Sequence, residues 1–109
     1  LESGRRAALE LLQSAEPPDA IFAANDIMAV GVLQVARELG LVVPGDVAVM
    51  GYDDFNTASL VLPALTTVHM PAYELGLKAA EIMLAYDQEG MFTKKEVLLD
   101  TQVIVRESA

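Results

Sequence analysis

Ala20-Ile21-Phe22-Ala23-Ala24, followed at once by Asn25-Asp26, is the stretch on which the reading of the fold turns. It is an apolar run of strand length with no alternation of apolar and polar residues. Strands buried on both faces have this pattern, and they belong to parallel sheets covered by helices. A second run of the same kind, Val47 to Tyr52, ends on Asp53-Asp54. Between the two, Ile27 to Leu39 reads as a helix that is apolar nearly all round, broken only by Gln34, Arg37 and Glu38. Such a helix is deeply buried or shared with a partner. Gly40 stands where a C-terminal cap is needed, and Pro44-Gly45-Asp46 makes the turn into the second run.

Outward from this unit the alternation continues. Upstream, Ala8, Leu11, Leu12 and Ala15 predict a helix over Ser3–Ala15, stopped by Pro17 and Pro18. Downstream, Phe55 to Leu62 reads as irregular, and Leu65 to Met70 as a third strand closed by Pro71. Tyr73, Leu77, Ala80 and Leu84 mark a helix ending near Gly90, and Lys95 to Val105 reads as one extended strand or two short ones. The expected class is α/β, with a mainly parallel sheet and helices on both faces. A doubly wound unit normally opens on a strand, whereas this chain opens on a helix at Leu1. The expectation is that a strand precedes it in a longer parent, or that a second copy completes the sheet. A sheet so truncated would expose apolar surface and a bare edge, and the isolated chain would self-associate.

Composition narrows the function classes. Hydrophobic residues form 53% of the 109, enough for a packed core. Sixteen acidic residues against seven basic give a net charge of −9, which repels phosphate backbones, so direct nucleic-acid binding is not expected. The lack of cysteine removes disulfide and thiolate-metal chemistry and fits a reducing cytoplasm. No apolar run reaches the ~20 residues of a membrane span.

Ligands of open parallel sheets bind beyond the carboxyl ends of the strands. Asn25-Asp26 and Asp53-Asp54 both fall there, on successive strands. A carboxylate accepts hydroxyl hydrogens, and an amide both donates and accepts, so this group suits a hydroxyl-rich molecule. Asn and Asp are equally at home as turn and N-cap residues after a strand. Asp26, directly before the helix, is the expected cap. Asn25 and Asp53 are the preferred contact residues, with Asp26 and Asp54 secondary. Paired aspartates at a strand end also occur in magnesium-dependent phosphoryl transfer, which would use Asp53 and Asp54. No Gly-rich phosphate loop or partnering lysine accompanies them, and His69 has no nearby nucleophile and reads as a packed or surface residue. No enzyme, metal site or cofactor is expected. Gly31, inside the second helix, is read as permitting close packing, and Glu81, Asp87 and Glu89 as a solvated helix face. Leu60-Val61-Leu62, with the apolar helix, suggests a subunit interface.

Several blocks in one order resemble the LacI/GalR family of transcription regulators. They are Pro18 to Asp26 with Met28-Ala29-Val30-Gly31, Val43 to Asp54, Pro63 to Val68, Glu74-Leu75-Gly76 and Val105-Arg106-Glu107-Ser108, and Glu2-Ser3-Gly4 fits the start of a family helix. The resemblance covers nearly the whole chain. It implies a parent with a helix-turn-helix headpiece, a linker and a two-lobed core like that of periplasmic sugar-binding proteins, lacking here the headpiece and much of the core. Residues 1–65 would be part of the C-terminal lobe, 66–92 a crossover strand and helix of the N-terminal lobe, and 93–109 a return segment. Segments near Leu65–Val68 and after Gly90 would be hinges. The family's effector asparagine falls on Asn25 and its hydroxyl-binding aspartate on Asp53. Met70 stands where many relatives carry glutamine, which alters that contact. The family's dimer surface falls on Val30, Leu60 and Val61. The implied protein is a cytoplasmic, homodimeric repressor sensing a carbohydrate or nucleoside-class effector, and it reaches DNA only through the headpiece. A periplasmic sugar-binding protein of a transporter shares the fold and is the alternative.

Overall fold

The structure is a computed structural model that describes residues 1–92 and 96–109. In chain order its elements are α1 (Glu2–Leu12), β1 (Ala20–Phe22), α2 (Asp26–Glu38), β2 (Ala48–Asp53), a short 3-10 turn (Asn56–Ser59), β3 (Thr66–His69), α3 (Ala72–Glu89) and β4 (Gln102–Ile104). They divide into two units. One is Leu1–His69 with Gln102–Ala109, and the other is Met70–Thr101.

The first unit holds a four-stranded sheet of order β1-β2-β3-β4. β1 and β2 run parallel with Phe22 opposite Met50, and β2 and β3 run parallel with Asp53 opposite His69. β4 closes the far edge antiparallel, Thr67 facing Ile104. The sheet is thus mainly parallel, as the apolar runs predict. Pleating sends Val49 and Gly51 of β2 into the interior, while Ala48, Met50 and Tyr52 on the other face are only half-buried. Val49, Leu65, Val35 and Val47 are the largest fully buried apolar side chains, and each contributes about 1.5–3 kcal/mol by leaving water.

α1 and α2 pack against each other in this core. Gly31 makes their approach possible, as expected of it. A Cβ there would lie 2.6 Å from the Leu1 carbonyl oxygen and 2.9 Å from the Arg5 nitrogen. An Arg5–Glu38 ion pair at 2.9 Å ties the same two helices at the surface. Gly40 follows α2 at φ +72°, the left-handed conformation that a glycine cap provides.

The opposite sheet face is more open within this unit. A groove of roughly 210 Å³ opens there, lined by Ala20, Ile21, Phe22, Ala48, Val49, Met50 and Ala109, with no helix residue in its wall. β1 is an edge strand, and Phe22 is 64% exposed. Its apolar run marks a surface suited to burial on both sides, and within this unit one side stays open.

At the amino ends of β2 and β3 the tail is sewn in by Ser108, which is fully buried. Its hydroxyl donates to the Val49 carbonyl at 2.6 Å and accepts from Thr66 N at 2.8 Å. Its own carbonyl accepts from Val49 N at 2.8 Å. A sheet seam that would leave backbone groups unpaired is thereby satisfied.

The second unit is α3 with the segments flanking it. The helix ends at Gly90, φ +70°, and the Tyr86 and Phe92 rings stack with centroids 4.4 Å apart. None of its side chains is buried, and Lys78 pairs with Glu81 at 3.0 Å. Along the chain the two compact units change over after His69 and again before Gln102. Thr66–His69 lies in the first sheet with both its edges paired; Thr66 and Thr67 are buried and Val68 is half-buried. The chain rejoins the first unit at Gln102. The expected starts of the return segment at Thr93 and of the tail strand at Lys95 lie outside the described residues.

Candidate functional site

Parallel strands put their carboxyl ends on one rim, and the loops leaving β1 and β2 carry the polar residues. Phe22 is matched to Met50, and Asn25 and Asp53 each lie three residues beyond that pair. Both side chains are half-buried.

In the first pair the cap expected at Asp26 is made by Asn25 instead. Asn25, with extended backbone (φ −156°, ψ 168°), is the N-cap of α2, and its side-chain oxygen accepts from Met28 N at 2.8 Å. Its amide nitrogen makes no hydrogen bond among the described residues. Asp26 is not the cap but the first helical residue, and it points into the protein with no exposed surface. Its Oδ1 accepts from the Thr67 hydroxyl at 2.5 Å and its Oδ2 from Phe55 N at 2.8 Å. The reason is one of register. Gly51 on β2 leaves the space that Asp26 fills, since a Cβ on Gly51 would collide with the Asp26 carboxyl. Buried, with both oxygens engaged, Asp26 joins β1's exit to β3 and to the loop after β2.

The second pair divides in the same way. Asp53 and Asp54 have φ of 111° and 60°, two successive non-glycine residues in the left-handed half of backbone space. Such conformations persist only where surrounding contacts impose them. The Asp54 carboxylate, 18% exposed, is held from two sides. Arg106 Nη2 donates to its Oδ1 at 2.8 Å, and His69 Nδ1 lies 3.0 Å from its Oδ2. Partial burial pushes the Asp54 carboxyl up, and the hydrogen bonds of Arg106 and His69 outweigh it, leaving the group below its ordinary value of 3.8. The Asp53 side chain makes no hydrogen bond among the described residues. The rim thus presents one amide nitrogen and one carboxylate with unused capacity, beside two carboxyls already engaged.

This arrangement does not favour a magnesium site at Asp53 and Asp54, because the Arg106 guanidinium already occupies and neutralises one side of the pair. Among the described residues no three acidic or histidine side chains converge as metal ligands, and no helix is long and apolar enough to cross a membrane.

The expected interface residues come together on another surface. Val30, Leu60 and Val61 line an open groove of roughly 270 Å³ with Leu33, Gln34, Arg37 and Leu62. Leu60 and Leu62 are 77% and 89% exposed. Met70 stands in the second unit, where its carbonyl accepts from Ala72 N at 2.8 Å. Arg106, His69, Thr67 and Ser108 were given no role in sequence reasoning. Arg106 and Ser108 stand in a recognised block, Val105-Arg106-Glu107-Ser108, which was the available signal.

Comparison with known proteins decides the family. The model of the periplasmic binding protein-like domain matches residues 2–109. The chain belongs to that family. Its periplasmic-binding-protein-like domain is 43% identical over 83 residues to the HTH-type transcriptional repressor PurR of Proteus mirabilis, covering 76% of this chain and 24% of that protein. It is 36% identical over 107 residues to the HTH-type transcriptional repressor CytR of Escherichia coli, covering 98% and 31%. A solved LacI family transcriptional regulator from Enterococcus faecium, with bound ribose, superposes with TM-score 0.86 at 32% identity, covering 98% of this chain and 39% of that one. The chain therefore spans about a quarter to a third of the curated relatives it matches. The resemblance read from the motifs and the mixed, mostly parallel α/β fold both hold.

Proposed function

We propose that the chain is part of the effector-sensing core of a cytoplasmic repressor of the LacI/GalR kind. In this reading Asp53 accepts hydroxyl hydrogens of a carbohydrate or nucleoside-class effector, and the Asn25 amide donates beside it. The single observation that carries the proposal is the Asp53 carboxylate, set on the carboxyl rim by an enforced left-handed backbone while both oxygens of Asp26 and of Asp54 are engaged. A vicinal diol offers two hydroxyls to one carboxylate, and the unused amide hydrogens meet a neighbouring oxygen. The bound ribose of the Enterococcus faecium relative and the repressor names of the curated relatives support this class. Asp26 and Asp54 support the site from behind, and Met70 is a secondary contact.

The first unit would belong to the C-terminal lobe and the second to the N-terminal lobe. Effector binding then shifts the geometry of a homodimer whose surface includes the groove at Val30, Leu60 and Val61. The headpiece, a helix-turn-helix outside this chain, binds or releases DNA in response. A coupling of this kind is worth about 1–3 kcal/mol and comes from the effector's differential affinity for the two states. The protein performs no catalysis and needs no cofactor.

The test uses the intact repressor, with an effector found by screening sugars and nucleosides for thermal stabilisation. Asp53→Ala should leave operator affinity unchanged without effector and abolish the effector's influence on it, measured by fluorescence anisotropy. An unaltered response removes Asp53 from the site.

A further inference from the structure

We propose that Arg106 is a positioning residue for the effector carboxylate: acting through Asp54, and with His69 as second support, it holds the Asp53–Asp54 turn in its left-handed conformation. The inference deepens the sensor reading and rests on it. Arg106 follows β4, half a chain away from the turn it would govern. Its Nη1 donates to the Leu65 carbonyl at 2.8 Å, its Nη2 to Asp54 Oδ1 at 2.8 Å, and its backbone N–H to the Thr66 hydroxyl at 2.8 Å. Besides its bond to the carboxylate, the residue is therefore anchored at two places, by its backbone N–H and by the other guanidinium nitrogen. His69, directly opposite Asp53 in the β2–β3 register, approaches the other carboxylate oxygen at 3.0 Å.

Two consecutive aspartates at φ 111° and 60° do not adopt that backbone unaided. Beyond the β2–β3 pairing of Asp53 with His69, the turn is constrained by the Asp26 acceptor for Phe55 N on one side and the Arg106–His69 grip on Asp54 on the other. Asp53 lies between them and makes no side-chain hydrogen bond among the described residues. A fixed carboxylate with unused acceptors binds without first losing conformational freedom, so loosening the grip weakens binding without removing any atom that touches the effector. Lysine cannot substitute, because a single ammonium cannot reach the Leu65 carbonyl and Asp54 in the fork geometry at once.

The experiment uses the full-length protein carrying this chain, with D-ribose as probe, and the variants Arg106→Met, Arg106→Lys, His69→Gln and Asp53→Ala. In calorimetric titration Arg106→Met should weaken D-ribose binding tenfold or more, His69→Gln by less, and Arg106→Lys should recover only part of the loss. Arg106→Met combined with Asp53→Ala should bind no more weakly than Asp53→Ala alone, because the arginine acts through that carboxylate; a merely structural role would make the losses add. Additive losses, or full recovery with lysine, overturn the proposal. Should the wild type bind no D-ribose, that arm speaks against the ligand class, and the crystal structure of Arg106→Met decides the positioning role. Asp53 and Asp54 leaving positive φ supports it, and φ retained near 111° and 60° refutes it.

Discussion

Replacing Asp26 with alanine strikes the joint on which the rim is built. The carboxyl is the acceptor for the Thr67 hydroxyl, which is fully buried, and for Phe55 N, on a residue about half exposed. A buried donor left without an acceptor costs about 1–3 kcal/mol. Thr67 should cost the upper part of that range and Phe55, which can turn towards water, the lower part. Losing an acidic residue in the first turn of α2 adds roughly 0.3–1 kcal/mol against the helix dipole. The loss should come to about 2–5 kcal/mol, a large share of the 5–15 kcal/mol typical of a domain. Urea unfolding followed by circular dichroism gives the value directly. Adding Thr67→Val should recover about 1 kcal/mol or more, since it removes the orphaned hydroxyl at nearly constant shape. A loss below ~1 kcal/mol, or no recovery in the double variant, would refute the assignment of Asp26 as a satisfied structural anchor.

Three further outcomes follow from the same geometry. Gly31→Ala gains about 1 kcal/mol of helix propensity but drives a methyl into the Leu1 and Arg5 backbone, an overpacking cost of roughly 1–3 kcal/mol, so net destabilisation is expected in urea titration. Leu60→Asp places a charge in the groove at Val30 and Val61, and if the proposed homodimer uses this surface, sedimentation should show the intact protein shifting towards monomer. Asp54 has a folded value below its ordinary 3.8, so its grip stabilises the fold fully above that pH and is lost as pH falls through the lower folded value. The thermal-midpoint gap between wild type and Asp54→Asn should therefore be constant at neutral pH and close under acid conditions below 3.8.

What was legible in the sequence was whatever depends on local pattern. The runs at Ala20 and Val47 announced parallel strands, and Gly40 and Gly90 were correctly read as helix ends, each at positive φ. The carboxyl-rim location of Asn25 and Asp53 follows from strand order alone. That Asn25 rather than Asp26 caps α2 was not legible, because either residue type caps a helix and only the position of Gly51 shows which one turns inward. The link from Arg106 to Asp54 spans 52 residues and leaves no periodic trace. That β4 pairs back antiparallel on β3 is a long-range event that no local signal encodes. The exposed apolar surface and bare edge expected of a truncated sheet lie at β1, where Phe22 is exposed.

The most direct test is to follow the side-chain carboxyl carbon resonances of the intact protein by NMR while adding the effector found by thermal screening. The account predicts that the Asp53 resonance shifts with a saturating dependence on effector concentration, while the buried Asp26 resonance stays nearly still. A shift at Asp26 with none at Asp53, or no carboxyl response on this rim at a saturating dose, would contradict it.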